Sequence, residues 1–451
     1  MQGLNSFVPQ STRMKKKRLL ALGIVLLTGY TSRPQNSSKP LSLQEAIAAS
    51  VANNNASKLS ALDIDIARAK LRQANTSFLP QANFSYTAAT TNNPLNAFGF
   101  KLQQGTIAET DFNPKLLNNP SSTPDFSTKL EWQQPLLNMD MLYQRKSAAK
   151  QVEMYQLLSD RTADWLRFET EKAYLQLQMA YHKNKVLKEA LATSRAVYKT
   201  SKDYYDQGLI QKSDVLNAEL HALNIETQVN NSQSAIQDGS DRLSVLMGQP
   251  TGTIYTVDSI IINDVAVTDN PGLPNGRPDF KALEKGMESY DMMIHSSKMT
   301  YLPRLNAFAF WQWNDKTLLG FNANAYLAGI QLSWNILNGN RTKNIISQQR
   351  LEKEKLASQL DQQKREAQLQ VNQVRRQIAD ALFDMKQQQL AIEQAAEALR
   401  VLQNRYTQGL VKTTDLLMAQ TQLSQQKINY AQAVFNYNLA AAALQFLTTN
   451  K

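Results

Sequence analysis

The sequence predicts a mainly α-helical chain with a small membrane β part, built as two copies of one unit, a short β-hairpin followed by a very long helical hairpin. Three observations carry this. An ordered set of short matches recurs at an offset near 200 residues. Heptad-spaced apolar residues run through long stretches free of Pro and Gly. Short period-two runs, aromatic on one side, stand before each of those stretches.

The chain opens on a candidate export signal. Arg13, Lys15, Lys16, Lys17 and Arg18 cluster before the apolar run Leu19 to Leu27, the charged and apolar regions of a secretory signal. Met14 opens it better than Met1, so 1–32 reads as a signal peptide with an upstream extension. Leu27-Thr28-Gly29-Tyr30 resembles a lipoprotein cleavage box with tyrosine in the cysteine position, and a thioether-linked lipid is excluded. The apolar run is about ten residues, and no other stretch approaches the roughly 20 that a spanning helix needs. Any membrane part must then be a closed barrel, because lipid leaves an open sheet edge unsatisfied. The 451 residues include no cysteine, so an exported chain must be held by packing or assembly. Of the net charge of +11, the signal holds five, leaving +6. No RNP, zinc or P-loop motif accompanies that modest excess, which argues against nucleic acid.

The first unit spans 33–247. A helix is expected over Leu43 to Ser77, with Ser42 as N-cap and Glu45 completing a capping box. After Pro80, Phe84 and Tyr86 alternate with Asn83, Ser85 and Thr87. Phe126, Thr128, Leu130 and Trp132 alternate with Ser127, Lys129 and Glu131. Between these strands, Thr91 to Pro124 is rich in Asn, Pro, Gly and Ser and reads as a long loop. The long helix that follows keeps Leu177, Leu191, Tyr198 and Tyr205 in one seam and Ala173, Ala180 and Leu187 in another. Gly208 ends it as a C-cap, and Ser213 to Met247 returns. The linker, 248–277, holds a β-like run at Ile260-Ile261-Ile262.

The second unit, 278–451, repeats this order. Pro278 to Met299 reads as helix. Phe308 and Phe310 open a strand, and Ile330, Leu332 and Trp334 belong to another. Val371, Ile378, Met385, Ile392, Leu399 and Tyr406 recur every seven residues. Val374, Ala381, Ala395 and Leu402 form the second seam, with Gln388 its polar exception. About 65 helical residues at about 1.5 Å each make roughly 100 Å. Gly409 ends this helix, and Thr413 to Leu447 returns.

The matches fix the duplication. Tyr205-Asp206-Gln207-Gly208-Leu209-Ile210 recurs as Tyr406-Thr407-Gln408-Gly409-Leu410-Val411 at offset 201. Leu136-Leu137-Asn138 matches Ile336-Leu337-Asn338 at offset 200, and Phe78-Leu79-Pro80 matches Tyr301-Leu302-Pro303 at offset 223. The change of offset places about 23 extra residues in the first unit, between Pro80 and Asn138. Strands of about ten residues with one aromatic and one polar face suit a membrane barrel with a wet lumen. Four strands cannot close one, since single-chain barrels start at about eight. Unpaired strand edges and helical seams alike demand an oligomer.

In these features the chain resembles the TolC family of bacterial outer-membrane efflux proteins, over roughly 41–447. The resemblance rests on Leu43 with Glu45-Ala46, on the paired aromatic-Leu-Pro and Leu-Asn joins, and on the two Tyr-x-x-Gly tips followed by Asp214 and Asp415. It implies a homotrimer in which each chain gives four strands to a shared 12-stranded barrel in outer-membrane lipid. The helices would form a periplasmic α-barrel tunnel serving a periplasmic adaptor (membrane fusion) protein and an inner-membrane transporter. The tip turns Gly208-Leu209 and Gly409-Leu410 would meet the adaptor. A gate would be closed by Tyr406 with Asp214, by an acidic entrance that includes Asp415, and with Tyr205 and Lys412 beside them. Met418 stands where some members carry a second acidic residue, and Val411 where some carry a pairing arginine. From the residues alone, Asp214 and Asp415 equally read as charges in a first helical turn. Tyr205 and Tyr406 equally read as seam residues.

Catalytic chemistry finds no constellation. His182, His221 and His295 are the only histidines and read as solvated helix residues. No cofactor, metal or enzyme activity is expected. The resemblance implies an outer-membrane channel of a tripartite efflux system, a passive conduit for small molecules such as drugs or metals. The alternatives are the outer-membrane channel of a type I protein secretion system, and a periplasmic coiled-coil scaffold or adaptor.

Overall fold

The computed structural model describes residues 38–262 and 276–449; the candidate signal, 1–32, lies outside the described residues. The first unit begins with β1 (Lys39–Pro40), α1 (Leu43–Asn53) and α2 (Asn55–Thr76). The Ser42–Glu45 capping box forms as expected. The single helix expected over Leu43 to Ser77 is broken at Asn54, however. Its Oδ1 accepts the Ala56 N–H at 2.8 Å while its Nδ2 donates to the Leu246 carbonyl at 2.8 Å. A short amide side chain that can cap the next helix competes with helix continuation.

The strand β2 (Gln81–Thr91) leads to α3 (Pro94–Gln103), a 3-10 turn and α4 (Pro114–Asn118), then β3 (Thr123–Leu137). The segment expected as a long loop therefore contains helices. Its Asn-Pro pairs, which resemble turn chemistry, act as helix starts. Asn93 and Asn113 accept the N–H groups of Asn96 and Lys115, and Pro94 and Pro114 occupy the first turn.

The long helix α5 (Met139–Asp206) returns as α6 (Lys212–Leu246). In the linker, β4 (Tyr255–Thr256) pairs in parallel with β1. The β-like run at Ile260-Ile261-Ile262 is not a strand. It packs as a strap: Ile260 touches the core of the second unit, and the Ile261 carbonyl accepts Asn438 Nδ2 at 2.7 Å. The second unit runs α7 (Pro278–Met299), β5 (Arg304–Asp315), β6 (Ala323–Ser333), α8 (Arg341–Thr407) and α9 (Thr413–Thr448).

The strands form one antiparallel sheet, ordered β2-β3-β5-β6. Register assigns its faces. Phe84, Leu130, Trp311 and Tyr326 lie in one row across all four strands. Directly paired residues share a face, so this face also carries Trp132, Trp313, Ile330 and Leu332. The other face carries Asn83, Ser85, Lys129, Glu131, Gln312 and Asn314. Phe308 and Phe310, expected on the aromatic side, pair with Gln133 and Glu131 and belong to the polar face. Lys129 Nζ sits 4.2 Å above the Phe310 ring there, so the aromatic is a platform for a cation.

The heptad seam of α8 is buried as expected at Val371, Val374, Ile378, Ala381 and Met385, against Ala433, Val434, Tyr437 and Leu444 of α9. In α5, Ala173 and Leu187 are buried, and their register continues through Ser194 and Ser201. The other expected register drifts outward, leaving Leu191 and Tyr198 partly buried and Tyr205 exposed. The row one residue earlier faces inward instead, with Ala190 and Val197 buried and Tyr204 packed against the tip cluster. No described helix is long and apolar enough to cross a membrane.

Candidate gate at the helical tips

Both hairpins turn in the same way. Gly208 and Gly409 have φ of 73° and 72°, a conformation that a Cβ disfavours. The N–H groups of Leu209 and Leu410 donate back to Tyr204 and Arg405 carbonyls at 2.9 and 3.0 Å, the Schellman closure. Each turn thereby presents one leucine to solvent, Leu209 and Leu410.

The two sequence-equivalent tyrosines have different surroundings. Tyr205 is 41% exposed, whereas Tyr406 is 5% exposed. The Tyr406 hydroxyl lies 3.0 Å from Ser201 Oγ on α5 and 3.2 Å from Thr413 Oγ1 at the start of α9. Its ring lies 5.9 Å from that of Tyr204. Val197, Ala218, Leu416 and Leu417 complete the cluster, with Val411 packed against it. Tyr406 thus ties the first hairpin to the second.

The pair Tyr406–Asp214 is not formed within the chain. Asp214 Oδ2 instead accepts the Gln211 N–H at 3.3 Å, closing the first turn of α6. Asp415 is exposed in the first turn of α9, and Lys412 is the extended residue before that helix. Asp214, Tyr406, Lys412, Leu209 and Leu410 do line one groove of ≈ 810 Å³ between the tips. Ser201, Thr413 and Tyr204 went unnoticed in the sequence. Ser201 falls seven residues after Ser194 and fourteen after Leu187, and that spacing was the available signal.

His221, expected as a solvated residue, is a second tie. Its Nδ1 lies 2.7 Å from Ser194 Oγ on α5, and its Nε2 lies 2.9 Å from Thr421 Oγ1 on α9. The Thr421 hydroxyl donates to the Leu417 carbonyl, so Nε2–H donates to Thr421 and Nδ1 accepts from Ser194. Burial pushes the His221 imidazole below its ordinary value. The other histidines are likewise engaged. His295 stacks on Tyr143 at 5.4 Å, and burial lowers His182.

A depressed histidine contributes stability that is present above about pH 6.5, its unfolded value, and is lost as pH falls toward the folded one. Protection factors of the tip amides, which divide out the base-catalysed intrinsic rate at each pH, are expected to fall between about pH 7.5 and 5.5, and His221→Gln should flatten that dependence. Equal protection factors at both pH values would remove His221 as a tie.

Among the described residues, no group of three His, Cys, Asp or Glu side chains is placed to hold a metal ion.

Comparison with known proteins places this architecture. No curated protein matches the sequence. Solved structures share the fold at low identity. A CusC structure, described for its transmembrane channel formation, matches with TM-score 0.76 and 14% identity over 91% of this chain and 92% of that one. The CmeC outer membrane channel of Campylobacter jejuni matches with TM-score 0.76 and 14% identity, over 90% and 85%. VceC of Vibrio cholerae matches with TM-score 0.73 and 16% identity, over 90% and 96%. The profile of the outer membrane efflux protein family matches 47–249 and 273–450, so the chain belongs to that family.

Proposed function

We propose that this chain is the outer-membrane channel of a tripartite efflux system and acts as a passive conduit for small molecules. One observation carries the reading. A four-stranded sheet with a solvent-exposed aromatic face continues directly into helices of 68 and 67 residues. A sheet with two open edges needs further copies to close in lipid, and three copies supply a barrel of family size. A periplasmic scaffold would need one helical hairpin and no aromatic sheet.

The tips are the gate in this reading, and Tyr406, Asp214, Asp415, Lys412 and Tyr205 surround it. Tyr406 is the bolt within each chain. Asp415 keeps an exposed carboxylate for a neighbouring chain or a partner, while the half-buried Asp214 already caps its own helix through one oxygen. The groove between Leu209 and Leu410 suits an apolar-tipped hairpin from a periplasmic adaptor, with an inner-membrane transporter behind it.

Purified chain in detergent should migrate as a trimer and conduct ions in planar bilayers. A monomer that leaves bilayers silent would end the reading.

A further inference from the structure

We infer that α3 of the first unit lies inside the barrel and narrows its outer mouth. The inference rests on the channel reading above, with the polar face of the sheet lining the lumen.

The sheet has two ends. The joins to α2 and α5, at Ser77 and Asn138, mark the periplasmic end. The β2–β3 and β5–β6 connections mark the opposite, outer end. At that end α3 is anchored by Gln104, which is 2% exposed. Its Nε2 donates to Asp125 Oδ1 at 2.9 Å and to the Pro124 carbonyl at 2.8 Å. Asp125 shares the face of Ser127, Lys129 and Glu131, the polar one. Its second oxygen accepts Asn314 Nδ2 at 2.9 Å, and Asn314 accepts Gln312 Nε2, which also donates to Ser127. All of these side chains belong to the polar face. Gly105 follows, and a Cβ built on it would lie 3.9 Å from Ala323 Cβ, again on the polar face of β6. The helix is therefore seated over the lumen side of the rim.

The second hairpin bends the other way. The Leu319 N–H donates to the Tyr86 hydroxyl at 3.0 Å, and Phe321 meets Trp313 edge-on. Tyr86 and Trp313 stand on the aromatic face. One connection thus leans outward over the aromatic belt, while the longer one leans inward.

The inward segment is built rather than slack. Lys101 Nζ pairs with Asp111 Oδ1 at 2.7 Å, and Phe98 meets Phe112 edge-on at 5.8 Å. Ala97 is buried, while Leu95 is 79% exposed and Leu102 is also exposed. On the lumen side of a closed barrel, these exposed leucines share their space with the same helix of the other protomers. The occupant of this apolar face is a second copy of α3. Only the first unit carries the insertion, so each protomer contributes one constricting helix.

Because the chain has no cysteine, a single introduced thiol reports its own position. Leu95→Cys and Leu102→Cys channels in planar bilayers would receive a charged methanethiosulfonate from the outer side, with complete labelling verified by mass. Leu327→Cys, on the polar face of β6 below the rim, is the companion variant. The inference expects loss of unitary current in all three, in steps of one per protomer. It also expects a rise in conductance when 94–119 is replaced by a short Gly-Ser turn. Loss of current with Leu327→Cys alone would overturn the inward helix and leave the channel reading standing. Labelling without loss in any of the three would overturn the lumen assignment itself.

Discussion

Tyr406→Ala is expected to leave the channel open at rest. The ring is buried among Val197, Leu416 and Leu417, and the hydroxyl bridges Ser201 and Thr413. Truncating a buried aromatic costs about 3–5 kcal/mol. Where opening withdraws Tyr406 from this cluster, the lower end corresponds, at about 1.4 kcal/mol per factor of ten, to a shift of about a hundredfold in the closed–open balance. Resting conductance in planar bilayers measures it directly, and outer-membrane permeability to a bulky antibiotic measures it in cells. Tyr406→Phe should act in the same direction with less force. It strands the fully buried Ser201 hydroxyl, worth about 1–3 kcal/mol. Asp214→Ala should act more weakly still within the chain, because the structure gives that carboxylate a capping contact worth roughly 1 kcal/mol. Wild-type conductance in Tyr406→Ala would remove the bolt.

Phe280→Ala carries the largest expected loss of stability. Phe280 stands in the first turn of α7, 1% exposed, against Leu360 and Ala367 of α8. The Arg277 guanidinium lies 4.1 Å above its ring and is itself held by Asp279 at 2.8 and 2.6 Å. Burial alone would raise the Asp279 carboxyl, but the Arg277 hydrogen bond and charge outweigh it and hold that carboxyl below its ordinary value. Removing the ring costs about 3–5 kcal/mol by cavity formation and takes away the surface on which Arg277 rests. The helical circular-dichroism signal should melt at lower temperature, and proteolysis should begin near the start of α7. An unchanged melting temperature would mean that α7 is held to α8 elsewhere.

How far these features were legible follows from how many residues vote on each. The seam of α8 recurs at every heptad from Val371 to Tyr406, so its period overwhelms single exceptions such as Gln388. The face of β5 is written over far fewer. Phe308 and Phe310 compete with Trp311 and Trp313 on alternate positions, and one step of parity exchanges the faces. Only the cross-strand row Phe84, Leu130, Trp311 and Tyr326 resolves it. The helices α3 and α4 were hidden because Asn-Pro marks a turn and a helix start equally well. At the tips, Tyr204 packs inward while Tyr205 is exposed, and two adjacent tyrosines give no local sign of which one faces the core. The tie of His221 to Ser194 and Thr421 joins residues 27 and 200 positions away, a separation at which no local spacing gives warning.

The open edges of the sheet bear on thermodynamics as well as shape. Strands β2 and β6 each leave a row of backbone donors and acceptors that only another protomer can satisfy. The free energy of the folded β part therefore contains a concentration term, and an isolated chain has no fixed unfolding midpoint for that part. Dilution acts on it as a denaturant would. The α8 seam, expected to need neighbours, packs on α9 within the chain and depends less on concentration, so in dilute detergent the sheet should be lost while α8 and α9 remain paired.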